Sequence, residues 1–289
     1  MFERVVVPSS RGAQIFVDVY VSRISREIDK DVRRPAVVIC PGGGYAFCSE
    51  REAEPIALRF AAEGFNAYVV WYRVGEKPDD EQHDHDASAW YHKSPEHTFP
   101  LPQHDAAAAI AYVRAHAQEH HTDPDRIAVM GFSAGGHLAA SVSGLWHHAE
   151  LWEELGLTPE DVRPNAAVLC YPVIVSDQDA HRGSFEHLSG RDEIAQHAQY
   201  DVTNWVTGNY PPTFLWHTFT DEAVPVQNSL RMGLALANHG VLSEMHIFPR
   251  GRHGLSLANT MSCRTEDMSL QQEECTAWPS LAARFLKSL

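Results

Sequence analysis

A mostly parallel, doubly wound α/β sheet is the fold class predicted by three observations. Short β-rich apolar runs alternate with helical stretches at βαβ spacing from residue 35 to the end of the chain. The run "PAVVIC" (35–40) is apolar without a break, as a strand covered on both faces requires. Ahead of it, "RVVVP" (4–8) and "QIFVDVYV" (14–21) read as an antiparallel pair that opens the sheet. With 289 residues, 44% hydrophobic and 21% charged, the chain has an ordinary globular composition and can bury a sizeable core. No internal repeat or low-complexity linker divides it, so one domain over residues 1–289 is expected.

The elements follow in order. After "PAVVIC", the stretch "SEREAEPIALRFAAEG" predicts a helix with Ser49 and Glu52 at capping-box spacing and Gly64 as its stop. A strand "NAYVVWYR" (66–73) and a helix "QHDAAAAIAYVRAHAQ" (103–118) come next. The strand "RIAVMG" (126–131) leads into the helix "AGGHLAASVSGLW" (134–146). "NAAVLCYPVI" (165–174), "TFLWHT" (213–218) and "SEMHIFP" (243–249) read as further strands. The helix "VQNSLRMGLALANHG" lies between the last two, and "TAWPSLAARFLKSL" closes the chain as a helix. Two long segments, about 75–102 and 176–212, interrupt this rhythm as loop insertions. Loops of that length inside a compact domain are often functional.

Charge and composition exclude several functions. A formal net charge of −15 argues against nucleic-acid or anionic-membrane partners, which call for basic patches. No window approaches the roughly 18 apolar residues of a membrane span. The start "MFERVVVPSSRGAQ" has no apolar signal region, so a cytoplasmic location is expected. The five cysteines are widely spaced without zinc-site spacing, and Cys40 and Cys170 sit in apolar runs as core thiols.

"GFSAG" (131–135) is a G-x-S-x-G between a strand and a helix. That context is a nucleophile elbow: a sharp turn lifts Ser133 above the sheet, and its flanking glycines avoid clashes. A serine hydroxyl needs a base to take its proton and a carboxylate to orient that base. On an elbow fold these follow in the order serine, acid, histidine. Among eighteen histidines, His253 in "FPRGRHGLSLA" stands in a glycine-flanked loop just after a strand. Asp221 in "TDEAVP" comes just after the strand "TFLWHT"; Glu222 is its neighbour but its side chain should point elsewhere. His246 lies inside a strand, and His217 reads as a strand residue near the site.

"CPGGGY" (40–45) follows one strand and precedes a helix, the position of a phosphate loop. It meets neither the G-x-x-x-x-G-K-[ST] nor the G-x-G-x-x-G pattern. The reading that fits beside an elbow is an oxyanion loop, with backbone N–H groups turned to the acyl oxygen and Ala134 adding another. Tyr45, just past the glycines, is expected to face the pocket.

These residues resemble the α/β-hydrolase esterases related to bifunctional feruloyl and acetyl-xylan esterases. The likeness runs from about residue 35 to 258 and rests on "PGGGY", "REAEPIALRFAAEGFNAYVVWYRV", "DPDRIAVMGFSAGGHLAAS", "RPNAAVLCYPVI", "PPTFLWHTFTDEAVPVQNSL" and "HIFPRGRHGLSLA". It implies a serine carboxylesterase with Ser133, Asp221 and His253 as triad and Gly43, Gly44 and Ala134 as oxyanion donors. It further implies a small-molecule or oligosaccharide substrate carrying acetyl or feruloyl groups, and no cofactor. The histidine-rich stretch 75–98 is longer than the short link that joins these elements in that family. It could form a lid, limit the acceptor or build a contact with a second copy of the chain.

Two other functions are weighed: amide hydrolysis by the same triad, as a formamidase or small peptidase, and a non-catalytic binding protein on a hydrolase fold. "HDHD" (83–86), with His92 and His97, could ligate a metal but reads as a solvated loop, so no metal is expected. Asp105 reads as a helix cap or structural contact, His137 as packed within its helix, and Trp71, Tyr72, Trp146 and Trp216 mostly as core.

Overall fold

The computed structural model describes residues 2–25, 27, 31–75, 94, 96–263 and 267–289. Eight strands form one sheet: β1 (Phe2–Pro8), β2 (Gln14–Tyr20), β3 (Arg34–Cys40), β4 (Asn66–Trp71), β5 (Thr122–Phe132), β6 (Ala166–Cys170), β7 (Thr213–Thr218) and β8 (Ser243–Phe248). Their order is β1-β2-β4-β3-β5-β6-β7-β8. β2 runs antiparallel to both β1 and β4, and every later pairing is parallel.

The inner strands behave as their apolar runs dictate. Every residue of β4, β6 and β7 is buried, while the edge strand β8 has no fully buried residue. The helices are α1 (Glu54–Ala62), α2 (Leu101–Ala115), α3 (Ala134–Leu145), α4 (Pro159–Val162), α5 (Arg182–Ser189), α6 (Gln227–Asn238) and α7 (Trp278–Lys287). α2 and α3 pack together and against β5, whereas α1 lies on β4 and touches α7. α1 buries Ile56 and Phe60, each contributing about 1.5–3 kcal/mol through burial. Among the described residues no helix is long and apolar enough to cross a membrane.

Two expectations change and a third narrows. The capping box at Ser49 and Glu52 does not form: a short 3-10 turn spans Glu50–Glu52, the α-helix starts at Glu54, and Ser49 makes no side-chain cap. The reason is long-range, because Glu52 spends its carboxylate on Gly42 N–H and Tyr171 O–H. Of the two readings of Asp105, cap or structural contact, the structure shows the contact: it lies inside α2 and forms a buried ion pair with Arg73. The 176–212 segment is not bare loop, since it contains α5 and three single 3-10 turns. Of the 75–102 segment, residues 76–93 and 95 lie outside the described residues, and so does "HDHD".

Candidate active site

β5 hands the chain to α3 through Ser133, whose backbone sits at φ 54°, ψ −118°. A non-glycine residue there costs on the order of 1–3 kcal/mol and persists only if its surroundings hold it. They do. Ser133 N–H donates to Cys170 O at 3.0 Å, and Ser133 O accepts from Val173 N at 3.0 Å and His137 N at 3.1 Å. The flanking glycines let the strand and helix close: a Cβ on Gly131 would lie 1.9 Å from Gly135 O, and one on Gly135 2.2 Å from Cys40 O.

Ser133 Oγ lies 2.8 Å from His253 Nε2, and His253 Nδ1 lies 2.7 Å from Asp221 Oδ2. The structure thus brings together three side chains from the ends of β5, β7 and β8. The carboxylate can only accept, so Nδ1 carries the imidazole proton and the Nε2 lone pair faces the serine hydroxyl. The edge of the Tyr171 ring packs on His253, with centroids 5.1 Å apart.

Asp221 is 7% exposed and has no guanidinium or ammonium partner among the described residues. Its Oδ1 accepts N–H bonds from Ala223 at 3.0 Å and Val224 at 2.9 Å. A second imidazole, His217 Nε2, stands 3.2 Å from Oδ2 while donating to Val224 O at 2.9 Å. Burial alone would raise the Asp221 pKa, but hydrogen bonds from His217, His253 and Val224 outweigh it and hold the acid well below the usual carboxylate range. The carboxylate therefore stays charged beside the imidazole.

The glycine loop passes directly over the elbow. A Cβ on Gly42 would meet Glu52 Oε2 at 2.6 Å and Ser133 Cβ at 3.1 Å. Gly42 N–H is already used, donating to Glu52 Oε2 at 2.8 Å. Among the described residues nothing accepts from the N–H groups of Gly43, Gly44 or Ala134. Gly43 and Gly44 adopt φ 127° and 65°, conformations that suit glycine. Ser184 Oγ lies 3.9 Å from where a Gly44 Cβ would stand; His181 caps α5 by accepting from Ser184 N–H, and burial followed by the nearby His253 pushes its pKa down.

Tyr45 does not face a pocket. At φ 60° its side chain turns into the core, 1% exposed, and its hydroxyl donates to His137 Nδ1 at 2.8 Å. The sequence points to neither Tyr171 nor His181, which belong to no local pattern, and it places Glu52 in a capping box instead of at the glycine loop. His217 was read as a strand residue near the site, without its contact to Asp221. A cavity of about 730 Å³ with Arg4, Asp18, Tyr20, Phe47 and Trp71 in its walls is a separate space, which the triad does not line. Among the described residues no group of three or more His, Cys, Asp or Glu side chains could hold a metal ion.

Comparison with known proteins gives a consistent set of relatives. The family model described as BD-FAE matches residues 85–236, slightly more than half of the chain. Endo-1,4-beta-xylanase B of Butyrivibrio fibrisolvens is 32% identical over 79% of this chain but only 34% of its own length. The chain spans less than half the length of the first curated relatives it matches. Among solved structures, the carboxylesterase Cest-2923 from Lactobacillus plantarum WCFS1 superposes with a TM-score of 0.82 at 28% identity, covering 100% of this chain and 97% of that one. The acetyl ester-xyloside bifunctional hydrolase from Caldicellulosiruptor lactoaceticus is 34% identical, covering 95% of this chain and 88% of that one, with a TM-score of 0.73. The fold is that of the α/β hydrolases.

Proposed function

The chain belongs to the BD-FAE family, and on that premise we propose that it is a serine carboxylesterase that removes acetyl groups from sugars or short plant-derived oligosaccharides. The observation that carries this reading is the unbroken path from Asp221 through His253 to Ser133, next to a glycine loop and an elbow whose Gly43, Gly44 and Ala134 N–H groups have no acceptor among the described residues. His253 Nε2 takes the Ser133 proton as Oγ forms a bond to the ester carbonyl carbon. Gly43, Gly44 and Ala134 N–H groups receive the negative charge that appears on the carbonyl oxygen. Asp221 stabilises the imidazolium and keeps its orientation. When the C–O bond to the sugar breaks, His253 returns the proton to the leaving alcohol. A water, deprotonated by the same nitrogen, then attacks the acyl-serine and releases acetate.

The sugar alcohol is supported by the acetyl ester-xyloside bifunctional hydrolase and the xylanase relative, and the acetyl group by that same bifunctional hydrolase. The test compares wild type with Ser133→Ala on p-nitrophenyl acetate, acetylated xylo-oligosaccharides, feruloyl esters and N-formyl amides. The expected result is preference for the acetylated sugars and a loss of about 10⁴-fold or more in kcat/KM in the variant. Equal turnover by both proteins would overturn the mechanism, and preference for the formyl amides would replace the substrate class.

A further inference from the structure

Glu52 is the only carboxylate described here that touches the glycine loop, and the carboxyl group is buried, the residue being 3% exposed. Among the described residues no arginine, lysine or histidine pairs with it. An unpaired buried carboxylate costs several kcal/mol unless its oxygens are hydrogen-bonded. Its two oxygens reach in different directions. Oε2 accepts Gly42 N–H at 2.8 Å, and Oε1 accepts Tyr171 O–H at 2.7 Å.

The chain of contacts continues to the histidine loop. Tyr171 Oη accepts Ser256 N–H at 2.9 Å while its ring lies against His253. Ser256 Oγ donates to Arg51 O, and Arg51 Nη1 donates to Gly254 O at 2.8 Å. Two members of this chain, Tyr171 and Ser256, hold left-handed backbones at φ 37° and 53°. Such strain concentrates where a geometry matters and must be held by its neighbours. The residues joined here come from the ends of β3 and β6, from the turn before α1 and from the loop after β8.

We propose that Glu52 is the positioning residue of this site. By tying Gly42 to Tyr171 it fixes the direction of the next two N–H groups, Gly43 and Gly44, relative to the loop that carries His253. The role rests on the esterase reading above and adds a specific origin for its oxyanion geometry. A carboxylate suits the task because one side chain accepts two donors at a fixed separation, which no neutral aliphatic residue can do.

The test uses Glu52→Ala, Glu52→Gln and Tyr171→Phe in the full chain. Glutamine keeps an oxygen for Gly42 N–H, and its amide can donate to the phenol oxygen; alanine keeps neither link. Glu52→Ala should lower kcat by about 10²- to 10³-fold, the worth of an oxyanion donor, with KM little changed. Inhibition by a methyl trifluoromethyl ketone, which forms a tetrahedral oxyanion on serine, should weaken by the same factor as kcat/KM. Glu52→Gln should restore most of both, and Tyr171→Phe should lose kcat and ketone affinity together. A folded Glu52→Ala with wild-type kcat/KM and ketone inhibition leaves Glu52 a structural brace and overturns the proposal. If alanine does not fold, unchanged kcat and ketone inhibition in Tyr171→Phe overturns it equally. Wild type that turns over no ester removes the esterase reading itself, which separates the two failures.

Discussion

Two of the buried aspartates, Asp105 and Asp221, are solvated in opposite ways. Asp105, 0% exposed, faces Arg73, which reaches it through Nε at 3.0 Å, Nη2 at 2.8 Å and its backbone N–H at 2.8 Å. Ser9 Oγ, together with the Arg73 bonds to Ser10 Oγ and Leu101 O, completes a closed cluster that does not include the triad. Asp221, 7% exposed, is held by two backbone N–H groups and two imidazoles. A guanidinium keeps its charge at every working pH, so the Asp105 pair can only brace. An imidazole is the side chain whose ordinary pKa lies nearest neutrality, so on the esterase reading above this pair, unlike Asp105 and Arg73, can take part in proton transfer at Ser133. The identity of the cation separates a brace from a machine.

The largest expected break of that contrast is Asp221→Asn. An asparagine can present N–H to His253 and hold the wrong tautomer, so kcat should fall about 10⁴-fold with the circular dichroism spectrum unchanged. A near-wild-type kcat would remove Asp221 from the mechanism. Asp105→Asn should do the reverse. It leaves a buried guanidinium without its counter-charge, costing about 3 kcal/mol in urea denaturation, while kcat of the folded protein stays at the wild-type value. A stable Asp105→Asn with damaged kcat would erase the distinction between the two regions.

The smallest effect sharpens the comparison through a third buried group. His137 donates from Nε2 to Tyr200 O and accepts from Tyr45 O–H at Nδ1, both at 2.8 Å, so the fold requires the neutral ring. Burial pushes its pKa down from 6.5 to about 4. Between those values the unfolded chain binds the extra proton, so stability rises with pH across this window and is lost as pH falls toward 4. The change is about 3 kcal/mol for this residue, with His104, His120 and His181 shifted by burial in the same direction. Asp221 acts lower still: its stabilisation is present above the unfolded carboxylate pKa and fades only as pH drops through its depressed folded value. Urea midpoints at pH 7.5 and 4.5 check this; His137→Gln should flatten the slope, and an unaltered slope would reassign it.

What was legible in the sequence was local. The elbow, the glycine run and the alternating strands are written in consecutive letters, so Ser133 and the sheet could be read directly. The order of acid and base along the chain led to Asp221 and His253, and the structure brings both within hydrogen-bonding distance of their neighbours. Glu52 was misread because Ser-x-x-Glu spells a capping box whether or not a distant N–H competes for the carboxylate. Here Gly42 and Tyr171, 10 and 119 residues away, win that competition. Tyr45 was misplaced for a related reason: adjacency to a loop does not say which way a φ of 60° turns the ring. The contact of His217 with Asp221 depends on strand register and turn shape, which carry no short motif.

The edge position of β8 has a consequence for how the site is lost. No residue of β8 is fully buried, and it pairs only with β7, so it belongs to the least protected part of the sheet. His253 hangs from its end, whereas Ser133 hangs from central β5. The loop after β8 is nonetheless fastened by Arg51 to Gly254 O, by Tyr171 to Ser256 N–H and by Trp278 Nε1 to Ser256 O. Fraying of the outer strand therefore need not carry the imidazole away with it. The loop that carries His253 is thus anchored to the middle of the molecule and not to the edge of the sheet.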